Sequence, residues 1–170
     1  MASNIILVGM PAAGKSTVGV ILAKVLGMDF IDTDLIIQRD TGKRLSDLIT
    51  EEGHDGFIRT EEKICCGINA ENSVISTGGS VIYGDAAMKH LKENGMVVYL
   101  EIDFETLEKR LHHMSKRGVV LKEGQTKKEL YDERVELYKK YADIIIHESG
   151  MDIEDTVSLI IEEIASEGFL

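Results

Sequence analysis

The stretch GMPAAGKST, residues 9–17, follows directly on the apolar run NIILV at residues 4–8, and no other feature constrains the fold as tightly. Gly9 and Gly14 are separated by four residues, and Lys15, Ser16 and Thr17 come next. This is the pattern of a loop whose backbone N–H groups turn inward around an anion, a path that glycine permits. The lysine adds a point charge for terminal phosphates, and the hydroxyl beside it ligates a divalent cation. The apolar run reads as a strand feeding the loop. The helical pattern from about Lys15 brings unpaired amides and the positive end of a helix dipole to the same place. The sequence therefore predicts a site for a nucleoside triphosphate with Mg²⁺. Its residues are Gly9, Ala12, Ala13, Gly14, Lys15, Ser16 and Thr17, with Ser16 on the metal.

Around this loop, strand-like and helical patterns alternate. Apolar runs at 4–8, 28–32, 73–77, 96–102 and 142–147 lack strict in–out alternation, as parallel strands covered on both faces do. Val18, Ile21, Leu22 and Val25 recur at helical spacing before Gly27, and Val157, Ile160, Ile161 and Ile164 repeat the pattern near the C-terminus. Thr126 followed by Glu129 is a capping box that opens a helix to about Tyr141. These features predict one domain spanning 1–170, a three-layer α/β/α fold on a five-stranded parallel sheet. The polar segment SKRGVVLKEGQ, 115–125, interrupts the pattern and predicts a mobile lid over 114–126.

Composition narrows the function. The net charge of −11 argues against a nucleic-acid partner but leaves room for a phosphorylated ligand in a local cationic pocket. No apolar run is long enough for a bilayer, and no basic segment followed by an apolar one opens the chain, so a cytoplasmic protein is expected. Cys65 and Cys66 are adjacent and make neither a bridge nor a metal framework. An Asn-Lys-x-Asp guanine-reading motif is lacking, and a small-molecule kinase is expected rather than a GTPase.

The second strand ends in FIDTD, 30–34, and the chain continues DLIIQRDTGKRLSDLITEEG over 34–53. Together with GMPAAGKST, this resembles the shikimate kinase family, with its nucleoside-monophosphate-kinase-like P-loop fold. The resemblance extends over nearly the whole chain through STGGS at 76–80, LEID with Arg110 and Arg117, and ERVELY at 133–138. It implies transfer of the γ-phosphoryl of ATP, with Mg²⁺, to a hydroxyl of shikimate by a monomer. It also implies roles. Lys15 and the loop amides would hold the β- and γ-phosphates, Ser16 would ligate the metal, and Asp32 would reach it through water. Asp34 would orient the attacking hydroxyl and take its proton. Arg110 would lie at the adenine, and Arg117, from the lid, at the transferring phosphoryl. Gly78 and Gly79 would offer backbone to the acceptor, and Arg134 would pair with its carboxylate, the acceptor segment spanning 33–62.

The chain also departs from the family. From the position of Gly53 onward the family reads Gly-Glu-x-x-Phe-Arg-x-x-Glu. In the direct register this places Ile58 where the family keeps a second carboxylate-binding arginine; a one-residue slip places Arg59 there instead. Phe57, Ile64 and Ile68 share a helix face in the direct register, which favours it. Ser80 replaces a third glycine, and Gly118 follows Arg117 where the family has proline. His54 is a candidate acceptor contact. These changes lie on the acceptor and lid sides, so a kinase for another small hydroxylated acid, or a non-catalytic nucleotide-binding relative, remain the alternatives.

Overall fold

The computed structural model describes residues 3–113 and 121–170. Strand β1 (Asn4–Val8) is followed by α1 (Lys15–Leu26), β2 (Asp29–Asp32), α2 (Thr33–Thr41) and α3 (Leu45–Cys66). Then come β3 (Ser73–Ser76), a 3₁₀ turn (Val81–Tyr83), α4 (Asp85–Asn94), β4 (Gly95–Glu101) and α5 (Phe104–His113), and finally α6 (Lys127–Tyr141), β5 (Ile144–His147) and α7 (Ile153–Ser166). All strand pairs are parallel, in the order β2-β3-β1-β4-β5. Every residue of β1 is buried, because helices cover both faces of the sheet. On one set of contacts α1 packs over β2 and β3 and against α7, while α4 packs on β1 and β4 and against α3.

The expected strands are all present, shifted by a residue or two at their ends. Gly27 closes α1 in the left-handed region at φ 68°, its N–H returning to the Ala23 carbonyl. The Thr126–Glu129 capping box forms in both directions at the start of α6. Cys65 is buried and Cys66 half-buried, and both are free thiols; burial pushes the Cys65 thiol far up.

Two features position the site. From β1 the chain turns toward the β2 edge and from β4 toward the β5 edge, so the connections diverge at the carboxyl ends of adjacent central strands. Ligands of open α/β sheets collect in such a crevice. Second, α3 is broken at Gly53, with φ 70° and ψ −177°, into two helical pieces. Phe57, Leu48 and Ile37 form a small cluster of their own, apart from the main core around the sheet.

Candidate active site

The loop after β1 has the expected turn. Gly9 has φ 151°, and a Cβ there would stand 2.7 Å from the Leu100 carbonyl oxygen of the neighbouring strand. Gly14 caps α1 at φ 83°. Ala12 adopts φ 69°, a conformation that glycine holds more cheaply. Gly9→Ala should cost about 3 kcal/mol, from a steric clash added to backbone strain. A denaturant melt within about 0.5 kcal/mol of the parent would contradict this. Lys15 is buried, and its Nζ donates to the carbonyls of Gly9 and Met10, each at 2.8 Å. Thr17 is exposed at the loop's rim, where it lines a cavity of about 500 Å³ with Gly14, Arg110, Glu148 and Met151.

Arg110 reaches this cavity from α5, donating to the Ala12 carbonyl at 3.0 Å and pairing with Glu148 at 3.3 Å. Burial raises the Glu148 carboxyl and Arg110 opposes that shift. The sequence offered no signal for Glu148. It follows β5, and only the fold brings it beside the loop.

Ser16 Oγ donates to Asp32 Oδ2 at 2.8 Å and lies 3.3 Å from Ser76 Oγ. Two hydroxyls and a carboxylate therefore converge at the mouth of the loop. Such oxygen donors suit a hard cation that keeps several waters and takes its remaining ligands from phosphates. No group of three or more His, Cys, Asp or Glu among the described residues could hold a metal by itself. Ser76, at the end of β3, was not anticipated.

Asp32 and Asp34 lie on different elements. Asp32 ends β2 and caps α2, its Oδ1 accepting from the Asp34 N–H at 3.0 Å, and Asp34 stands in the first turn of that helix. The cap turns the Asp34 side chain toward the STGGS segment. A Cβ on Gly78 would meet Asp34 Oδ1 at 3.0 Å and would also clash with Glu61 Oε1. A Cβ on Gly79 would meet Pro11 at 2.7 Å and Arg134 Nη1 at 3.0 Å. Both glycines thus bring backbone into close approach with site side chains. Gly78, Gly79, Asp34 and Arg134 are brought together, as expected. Arg134 is 1 % exposed, and its guanidinium carbon lies 5.5 Å from the centre of the Tyr83 ring.

The register of 57–62 follows from burial. Phe57 and Glu61 are buried, Ile58 is half-buried and Arg59 is exposed. The chain is in the direct register, and Arg59 points away from the face that carries Glu61. Ser80 is buried and donates its hydroxyl hydrogen to Glu61. Sequence reasoning missed Glu61 as a site residue, although it stands one turn beyond Phe57 on the same face. Burial pushes its carboxyl up to about 7, with Asp34 adding to the rise while Ser80 and Arg134 oppose it. An acid with a raised folded-state pKa binds protons more tightly folded than unfolded, so stability should fall as pH rises from about 4.5 through 7. Glu61→Gln should remove that dependence and gain about 3 kcal/mol above pH 7. Parallel melting curves of the two proteins across that range would refute the assignment.

Arg117 and residues 114–120 of the candidate lid lie outside the described residues. The remainder, 121–126, forms a turn held to α6 through Lys122 and Gln125, both bonded to Glu133.

A phosphate-cradling loop at the mouth of a parallel sheet, beside Asp34, the Gly78–Gly79 backbone and the buried Arg134, is the arrangement of a P-loop phosphotransferase. The family model for shikimate kinase matches residues 11–165. The chain belongs to the shikimate kinase family. It is 35% identical over 163 residues to a shikimate kinase of Thermodesulfovibrio yellowstonii, covering 94% of each chain. With one from Clostridium botulinum it shares 38% over 162 residues, covering 94% of this chain and 96% of the other. The solved shikimate kinase from Acinetobacter baumannii, in complex with shikimate, superposes with a TM-score of 0.88 at 31% identity, over 98% of this chain and 95% of that one.

Proposed function

We propose that the protein transfers the γ-phosphoryl of ATP to a hydroxyl of shikimate, giving shikimate 3-phosphate and ADP. The observation that carries this reading is the convergence of Asp34, the Gly78–Gly79 backbone and Arg134 beside the phosphate loop. A shikimate kinase of the same fold is known in complex with that acceptor.

Phosphoryl transfer needs in-line placement and cations around the equatorial oxygens, with no covalent intermediate on the protein. Lys15 and the amides from Gly9 to Thr17 hold the terminal phosphates, swapping the two carbonyl partners of the Lys15 ammonium for phosphate oxygens. Ser16, Asp32 and Ser76 would hold Mg²⁺, which neutralises phosphate charge when bound. Asp34 orients the acceptor hydroxyl and takes its proton. Gly78, Gly79 and Ser80 shape the acceptor pocket, Arg134 pairs with the carboxylate, and Ile58 presents an apolar wall. Arg110 lies at the nucleoside end, and Arg117 belongs to the same reading as a lid cation that reaches the transferring phosphoryl. The acceptor segment is 33–62, the lid 114–126, and the whole is one kinase domain of 1–170, a cytoplasmic monomer. Its free Cys65 and Cys66 suit a reducing compartment.

ADP release is measured with ATP and Mg²⁺ over a panel of shikimate, other cyclic polyols and hydroxy acids. Release with shikimate well above the rest is expected. Release with another acid but not shikimate would transfer the reading to that acceptor, and ATP binding without any release would end it. Arg134→Ala should raise the acceptor KM about 10- to 100-fold, the loss of a charged hydrogen-bonded pair, with the ATP KM nearly unchanged. Equal rises in both constants would refute its pairing with the carboxylate.

A further inference from the structure

Position 58 is an isoleucine, so Arg134 lacks a second cationic partner from α3. His54 stands one helical turn before it. Residues four apart share a face, and a helical side chain leans back over the turn that precedes it. The ground an arginine at 58 would cover is therefore the ground His54 occupies.

The surroundings of His54 are those of an unfinished polar site. Its ring meets the edge of Tyr83, with centroids 5.8 Å apart, and Arg134 faces the same Tyr83 ring. His54 Nε2, the Tyr83 hydroxyl and Arg134 Nε are all buried without a hydrogen-bond partner among the described residues. Buried polar atoms are nearly always paired, and three orphans around one ring mark a place that a ligand completes. Two cations flank that ring, Arg134 and Lys122, whose Nζ lies 5.6 Å from the Tyr83 ring centre and is paired with Glu133.

We propose that His54 Nε2–H, together with Arg134, holds the carboxylate of the acceptor, in the place that Ile58 leaves without a donor. The proposal rests on the function given above. It has a chemical corollary. His54 Nδ1 lies 2.9 Å from the Asp55 carboxylate, which only accepts, so Nδ1 carries a hydrogen. Nε2 can then donate only when the ring is an imidazolium. The charged groups around the ring are Asp55 on the same helix and, on the segments packed against Tyr83, Lys122, Arg134 and Glu133. On this proposal the bound carboxylate accepts from a proton on His54 Nε2.

The test compares shikimate with its methyl ester in the wild type and in His54→Leu. The variant should raise the KM for shikimate about 10- to 100-fold, as expected for one charge-assisted hydrogen bond. The ester KM, the ATP KM and kcat should change by less than about 2-fold. An unchanged shikimate KM, or the same loss with the ester, overturns the proposal. In wild-type protein, saturating shikimate should also shift the His54 imidazole NMR titration to higher pH, and an unmoved titration overturns the proposal without any variant. If the wild type fails to turn over shikimate, the function given above falls, while the imidazole titration, which needs binding only, still decides the role of His54.

Discussion

Lys15→Ala should lower kcat by about a thousandfold while leaving the melting temperature close to that of the parent. The ammonium is held inside the loop by the Gly9 and Met10 carbonyls, so it stands at the loop before the nucleotide arrives and has only to exchange partners on binding. Preorganised charge in a partly dry site is where electrostatic stabilisation of a phosphoryl group is strongest. Alanine removes the cation that those carbonyls hold in place. ADP release set beside a thermal melt separates this from misfolding. Near-normal turnover in the variant would mean that the loop binds without contributing to catalysis.

The second large effect is expected at Asp34. Asp34→Asn should reduce kcat by about 10²- to 10⁴-fold, the usual span for a lost proton acceptor, with ATP binding changed by less than about 3-fold. The substitution keeps the shape of the side chain and its place in the first turn of α2, but an amide cannot take the hydroxyl proton. Glu61 does not take over this role, because burial keeps its own carboxyl partly protonated near neutral pH. Of the two carboxyl groups beside Gly78, Glu61 is the one in the dry position under the Ser80 hydroxyl. A collapse of ATP affinity in Asp34→Asn would reassign Asp34 to the metal and phosphate side.

Local signals were legible where a few adjacent residues decide the geometry. Gly27, the Thr126–Glu129 box and the loop from Gly9 to Thr17 each carry their own turn or cap chemistry, and each was readable before any coordinates. The placement of Asp34 was half legible. FIDTD announced a strand end, but whether Asp34 continues the strand or opens a helix depends on Asp32 capping α2. Glu148 was not legible, because what distinguishes it is burial beside Arg110, distant in the chain; Glu61 falls on the last glutamate of the family motif in the direct register, but its burial under Ser80 did not show in the sequence. The register of 57–62 shows the same limit. The shared face of Phe57, Ile64 and Ile68 favours the direct alignment, and the burial of Phe57 and Glu61 decides for Ile58.

The Ile37–Leu48–Phe57 cluster stands apart from the core that surrounds the sheet. On the function proposed above it backs the acceptor side of the site, and α3 joins it to the rest of the domain by packing on α4. Substitutions within it would then alter the acceptor side while leaving in place the phosphate loop, whose Met10 and Ala13 belong to the other core.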